Sequence, residues 1–256
     1  MTTRINAIAA AIAGSAMLFA TPAVAVDGEI LIDQAKVNAG GITPGDVPGF
    51  PATLSEPGRY KLVGNLKVPS NNNGIVVTAD DVTIDLSGFT IGSNPPGEAA
   101  TGVSAVVTTN GLRVINGTIT GFRNFGVANR TSQGAQFAVI ENMRIIFNGT
   151  GIFVGPYAQI RNSTVANSPR GNIGCLRSCL IEGNVITGAA NGAGISMTGG
   201  TVLGNVVVSN KIGGLIADQV EVGYGNNILV GNNSGGAQVR GPAVQLHPNV
   251  CDPACP

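Results

Sequence analysis

The sequence predicts an all-β solenoid, in which short strands joined by tight turns stack along one axis. A turn-forming residue, always Gly or Asn, recurs at one place in a short apolar frame, and these two residues most readily accept the left-handed backbone conformation. Its spacing settles at 20 or 21 residues, and no helical periodicity lies between the strands. The positions are Gly64, Gly88, Asn116, Asn142, Asn162, Gly183, Gly204 and Gly225.

The composition supports a packed β structure. The chain has 38 glycines in 256 residues, 11% charged residues and no tryptophan. Val, Ile and Leu recur in short alternating runs, which separates it from Gly-rich disordered chains. Beyond the N-terminal leader, no stretch approaches the ~20 apolar residues that cross a bilayer. We therefore expect no membrane span and a soluble mature chain.

Residues 1–25 have the features of a secretory signal peptide. Arg4 precedes an apolar run of small residues, and Ala23-Val24-Ala25 forms an A-x-A cleavage site. This leader predicts a secreted or periplasmic bacterial protein. Residues 26–53 follow, rich in Pro and Gly, and we expect them to cap the solenoid, because its end strands otherwise expose unpaired edges.

Residues 54–245 are predicted to form a β-helix of about seven to eight coils. The frame around the Gly/Asn column is apolar-x-[Gly/Asn]-x-x-apolar, as in the segment 86–91. A second column, beginning with Gly74-Ile75, precedes it in each unit, so that each coil holds two or three short strands. The residues predicted to point inward from this second column are Val77, Ala105, Asn129, Val154, Cys175, Met197 and Ala217.

The four cysteines form two C-x3-C pairs. In an exported chain an even number favours disulfides, and we favour the local pairings Cys175–Cys179 and Cys251–Cys255, each across a turn. The second pair lies in residues 246–256, predicted to be a C-terminal tail. A zinc site formed by these thiols and His247 is the competing interpretation.

The strand and turn periodicity over about Leu54 to Gln245 resembles the right-handed parallel β-helix of the pectate-lyase-like superfamily. The segment 82–86 and the ending Cys251–Pro256 further resemble uncharacterised exported β-helix-repeat proteins of bacteria. The resemblance implies an asparagine ladder, in which stacked side chains bond to the backbone of neighbouring coils. Asn184, Asn205 and Asn226 are the residues predicted to form it.

Charge is unevenly distributed along the chain. Residues 26–98 carry nine acidic and four basic residues, whereas residues 99–181 carry seven arginines and Glu141 alone. In a solenoid these arginines form a belt around the middle coils, and arginine suits bidentate recognition of carboxylate or sulfate. An acidic polysaccharide is therefore the expected partner, and nucleic acid is not. The candidate binding residues are Arg113, Arg123, Arg130, Arg144 and Arg161; Arg170 and Arg177 complete the belt.

The densest carboxylate group is Asp80, Asp81 and Asp85. Carboxylate oxygens are the ligands that Ca²⁺ prefers, so a calcium site is a candidate here. The competing interpretation is a bend followed by a solvated strand position. No cofactor is required by any other feature of the sequence.

Three functions remain open. The first is an exported, non-catalytic protein that binds or scaffolds extracellular or cell-surface polysaccharide. The second is a polysaccharide lyase or epimerase acting on uronates, with Arg123, Arg130 or Arg144 neutralising the substrate. The third is a purely structural surface protein. We favour the first, because no set of catalytic residues is recognisable in the sequence. The oligomeric state is not predicted.

Overall fold

The computed structural model describes residues 28–105, 108–129, 135–219, 221–253 and 255. These residues form a parallel β-helix, which confirms the predicted all-β solenoid. One sheet contains nine strands, so the chain makes nine coils and not the predicted seven to eight. The predicted signal peptide, residues 1–25, and Arg130 lie outside the described residues.

The strands are short and are connected by tight turns. Among the described residues one α-helix, α1, covers Gln34–Ala39, and a 3₁₀ turn covers Asn233–Gly235. In chain order the strands of the first half are β1 Ile30–Ile32, β2 Ala52–Leu54, β3 Gly58–Leu62, β4 Leu66–Val68, β5 Ile75–Val77, β6 Val82–Asp85, β7 Thr90–Ser93, β8 Thr101–Ala105, β9 Arg113–Thr120, β10 Phe125–Asn129, β11 Val139–Ile146, β12 Thr150–Val154 and β13 Gln159–Arg161. The second half contains β14 Thr164–Ala166, β15 Ile173–Cys175, β16 Cys179–Glu182, β17 Val185–Thr187, β18 Ala193–Met197, β19 Gly200–Leu203, β20 Val206–Val208, β21 Gly213–Ala217, β22 Val222–Gly225, β23 Ile228–Val230, β24 Val239–Arg240, β25 Val244–Gln245 and β26 Val250–Asp252.

Three parallel faces surround the core. Sheet 1 consists of β2, β5, β8, β10, β12, β15, β18, β21 and β24. The other 17 strands form one sheet that bends at the Gly/Asn column into two faces. Sheet 2 holds β1, β3, β6, β13, β16, β19, β22, β25 and the first halves of β9 and β11. Sheet 3 holds β4, β7, β14, β17, β20, β23, β26 and the second halves of β9 and β11.

The core is a continuous column of aliphatic side chains. Successive residues of a strand point to opposite faces, and the inward set is buried in every sheet. All seven residues predicted to point inward from sheet 1 are at most 4% exposed. Because each coil stacks its apolar residues on those of the next, the core is closed only by the stack as a whole.

The Gly/Asn column marks the bend between sheets 2 and 3. Six of its eight members have a positive φ, from 50° at Asn162 to 85° at Gly88. The prediction was wrong at the two ends of the column. Gly64 has no positive φ, and in the eighth coil the left-handed residue is Asn226, not Gly225. That coil carries one extra residue, which moves the bend by one position.

The residue after the bend points inward and forms the predicted ladder. The side-chain Oδ1 of Asn205 accepts hydrogen bonds from the backbone N and the Nδ2 of Asn184, at 2.9 and 3.0 Å. Asn227 receives the same two bonds from Asn205, so the ladder passes through Asn227 and not through the predicted Asn226. A second ladder, which the sequence analysis missed, follows sheet 3. It runs through Asn172, Asn210 and Asn232 to Gln238.

The two ends of the helix differ. Helix α1 lies at the first coils, where the side chain of Gln34 accepts a bond from the backbone N of Lys67 at 2.8 Å, and Val37 is buried. At the other end, β26 of the predicted tail pairs with β23. Both cysteine pairs form the local disulfides that we favoured, which leaves no free thiol for zinc among the described residues. The described helices are too short to span a membrane.

Candidate functional site

A cavity of about 330 Å³ lies on the outer surface of sheet 1 in the middle coils. It crosses β10, β12, β15 and β18, four neighbouring strands, and at ~4.8 Å per strand this is about 14 Å along the helix axis. Its volume falls in the range of small-ligand sites. The lining residues are Phe125, Thr150, Phe153, Arg170, Gly171, Ile173, Gly174, Ala193 and Ser196.

The apolar part of the cavity is formed by two phenylalanines on adjacent strands. The rings of Phe125 and Phe153 meet edge to face, with centroids 6.3 Å apart and an interplanar angle of 66°. Gly174 lies beneath the ring of Phe153: a Cβ at Gly174 would come within 2.6 Å of Phe153 Cδ2. The absence of a side chain there allows the ring to lie down along the sheet.

The cationic part is Arg170, in the turn that leads from sheet 3 back to sheet 1. Its guanidinium donates to the backbone carbonyls of Arg123 and Asn124. Gly149 makes this path possible, because a Cβ at Gly149 would clash with the Arg170 guanidinium and with the Arg123 carbonyl. Within the described residues no carboxylate forms an ion pair with Arg170. Its charge is therefore available to a ligand.

The hydroxyls of Thr150 and Ser196 complete the lining. A few polar groups placed in a mostly apolar cavity fix the orientation of a ligand. Arginine adds a planar, permanently charged fork for a carboxylate. In the described part of the chain the lining contains no carboxylate, imidazole, amine or phenol.

The predicted arginines lie on different faces of the helix. Arg113 and Arg161 lie on sheet 2, where their guanidiniums approach Glu141 at 2.9 and 3.9 Å. Arg144 lies on sheet 3 and is exposed. These three side chains therefore do not share one surface.

Arg123 is the predicted arginine that belongs to the cavity region, through its backbone carbonyl. Its exposed side chain lies in the same set of turns as Arg170. Arg130 lies outside the described residues. The described arginines of the belt therefore lie in several neighbouring coils and face several directions.

The structure does not bring the three predicted calcium ligands together. Asp80 and Asp81 lie in the turn before β6, where Asp80 accepts a bond from the backbone N of Asn110 at 2.8 Å. Asp85 lies at the other end of β6, about 13 Å from Asp81 at ~3.3 Å per residue. It accepts bonds from Ser87 and Asn116. No group of three or more His, Cys, Asp or Glu among the described residues is placed to hold a metal ion.

Arg170 belongs to the predicted arginine belt but is not among the predicted binding residues. Phe153, Gly174 and Ser196 are outward positions of sheet 1, as the second column indicates, whereas nothing in the spacing distinguished Phe125 or Thr150. The one sequence feature that marks the position of the Arg170 side chain is Gly149, in the turn of the preceding coil. Only the turn geometry shows that this glycine accommodates a guanidinium.

Comparisons with known proteins show the fold alone. No protein-family model and no curated protein matches the chain. Among solved structures the chain is similar to the periplasmic alginate epimerase AlgG, in the crystal structure of a double mutant, with a TM-score of 0.58 and 13% sequence identity. The alignment covers 80% of this chain and 56% of that one, so this chain spans about half the length of its structural neighbour. The likeness confirms the parallel β-helix fold.

Proposed function

We propose that this protein is an exported β-helix that binds an acidic polysaccharide in the cavity on sheet 1. The observation that carries the proposal is Arg170, a cation with no described carboxylate partner, beside a cavity lined by Phe125 and Phe153. A sugar acid presents an apolar ring face, hydroxyls and a carboxylate. The cavity offers two aromatic rings, two hydroxyls and a guanidinium in return.

The structural neighbour supports the ligand class. It is named for alginate, an acidic polysaccharide, and we extend the class of ligand, but not the activity, to this chain. The two disulfides support a location outside the cytoplasm, because disulfides persist in oxidising compartments. A secreted or periplasmic protein that recognises a surface or extracellular glycan agrees with both observations.

Binding is favoured over catalysis by the lining of the cavity. A uronate lyase or epimerase needs a base within reach of the sugar, together with a group that neutralises the carboxylate. Arg170 suits the second role, and no described lining residue suits the first. Two arginines of the belt, Arg113 and Arg161, do lie close to a carboxylate, but on sheet 2, where Glu141 is paired with both of them.

Calorimetric titration with alginate and polygalacturonate oligosaccharides tests this proposal. We expect Arg170→Ala and Phe153→Ala each to weaken binding about tenfold, or ~1.4 kcal/mol. Arg240→Ala is the matched control, because its guanidinium also donates to a backbone carbonyl, that of Ile212, at the last coil. Unchanged affinity in both cavity variants would overturn the assignment. Release of unsaturated uronates, or epimerisation seen by NMR, would show catalysis instead.

A further inference from the structure

Two exposed aromatic rings stack on the edge between sheets 1 and 2. Phe137 and Tyr157 lie in the turns before β11 and β13, in adjacent coils. Their ring centroids are 5.3 Å apart and their planes differ by 18°. Phe137 is 54% exposed and Tyr157 is 45% exposed. The pair is therefore an aromatic surface in solvent and not part of the core.

These residues are unfavourable choices for the fold at this place. Both have a left-handed backbone, with φ of 60° and 59°, which is disfavoured for bulky side chains. The same turn in the preceding coil uses Gly111, with φ of 70°. Exposed rings also gain little from burial. Strained backbone at exposed positions is often found at functional sites.

The coils on either side of the pair carry small residues at the same position. The corresponding positions in the flanking coils are Gly111 on one side and Ser178 on the other, both small and both left-handed. Coils repeat at ~4.8 Å, close to the separation of the two stacked rings. On the Gly111 side the Asp81 carboxylate fills the space, because a Cβ at Gly111 would clash with Asp81 Oδ1. Among the described residues, a third ring can therefore continue the stack on the Ser178 side.

An exposed arginine lies in the coil next to this stack. The backbone N of Tyr157 donates to the carbonyl of Arg177 at 3.0 Å, which places Arg177 in the adjacent coil, next to Ser178. The Arg177 side chain is exposed and has no ion pair with any described carboxylate. An exposed ring face and an arginine in the adjacent coil are the combination that a sugar acid requires.

We propose that Phe137, Tyr157 and Arg177 form a second subsite, at which the ring of a uronate stacks on the aromatic pair and its carboxylate pairs with Arg177. The ligand class rests on the proposed function. Phe153 of the cavity and Tyr157 lie four residues apart in the same coil across a turn, so at ~3.3 Å per residue they are separated by at most about 13 Å. One glycan chain that crosses the edge of the helix can therefore occupy both sites.

Tyrosine fluorescence reports directly on this subsite. The chain has three tyrosines and no tryptophan, and Tyr60 and Tyr224 are each 1% exposed. Acrylamide quenching of the wild-type protein therefore acts mainly on Tyr157. We expect saturating alginate hexasaccharide to reduce this quenching severalfold, because the bound sugar covers the ring.

Glycine variants separate binding from folding. Phe137→Gly and Tyr157→Gly relieve the left-handed strain, so we expect the double variant to keep or raise the melting temperature and to bind the hexasaccharide about tenfold more weakly. Arg177→Gln should weaken binding similarly. Phe147→Gly is the matched control, because Phe147 has φ of 55°, is 59% exposed and lies on another edge.

The outcomes distinguish this subsite from the cavity. If Arg170→Ala weakens binding while Tyr157 quenching and the double glycine variant are unaffected, the subsite is wrong and the cavity stands. If Tyr157 is protected and the glycine variants lose affinity while Arg170→Ala does not, the subsite stands and the cavity assignment fails. No binding of the hexasaccharide to the wild-type protein would overturn both.

Discussion

Asparagine has two roles in this chain, set by the side of the coil that it faces. At the bend between sheets 2 and 3, Asn162 is exposed and is chosen for its left-handed backbone. The residue directly after the bend points inward instead. Asn184 and Asn205 hold this position in later coils, and each is 1% exposed. Their amide groups donate to the backbone carbonyls of Ile160 and Ile181 in neighbouring coils, and buried backbone groups must be paired. Residue type alone therefore does not reveal the role.

Replacing a ladder residue should be costly. Asn205→Ala removes the acceptor for the backbone N of Asn184 and the donor to the carbonyl of Ile181. Each buried polar group left unpaired costs ~1–3 kcal/mol, so we expect the free energy of unfolding in urea to fall by about 3 kcal/mol. Asn162→Gly, at the exposed bend, should change it by less than ~0.5 kcal/mol. A similar loss in both variants would refute the distinction between the two roles.

At the scale of the strand and turn, the sequence predicts the fold well where the backbone demands one residue type. The Gly/Asn column was predictable because few other residues accept a positive φ. The other two bends of each coil were not, because their left-handed residues vary. One contains Gly111, Phe137, Tyr157 and Ser178; the other contains Gly121, Phe147, Asn167, Gly188, Ser209 and Gly231. Such a mixture has no compositional signature.

The site was less predictable than the fold, because part of it is formed by turns whose residues and lengths vary. Periodicity identifies which residues of sheet 1 face outward, and Phe153, Gly174 and Ser196 follow from it. It does not indicate that the Arg170 side chain crosses Gly149 to reach the carbonyl of Arg123. That path depends on the turns of three coils together, and turn lengths vary along the chain.

The bend itself can be tested at Gly204. Its φ is 61°, and a Cβ there would meet nothing within 4 Å, so any penalty is purely one of backbone conformation. Gly204→Asn should alter the free energy of unfolding by less than ~0.5 kcal/mol, since Asn tolerates this region. Gly204→Val should lower it by ~2 kcal/mol, because a β-branched residue does not. Equal stabilities of the two variants would show that the bend is not the constraint.

On the scale of the whole molecule, stability is a property of neighbouring coils. Each coil contacts mainly the coils before and after it, as in a one-dimensional array. The two ends are not equivalent. The first coils lie against α1 and are bonded to Gln34, whereas Val244, Leu246 and Val250 of the last coil are 53%, 51% and 61% exposed. No described element packs over β24, β25 and β26.

Hydrogen exchange should therefore show a gradient that falls toward the C-terminal coil. Local opening at an end breaks one interface between coils, whereas opening in the middle breaks two. We expect the amides of Leu246 and Val250 to exchange about 100-fold faster than those of β16, or ~2.8 kcal/mol less protection. The amides of β3, near α1, should resemble β16. Uniform protection along the axis, measured by native-state exchange, would mean that the nine coils unfold as one unit.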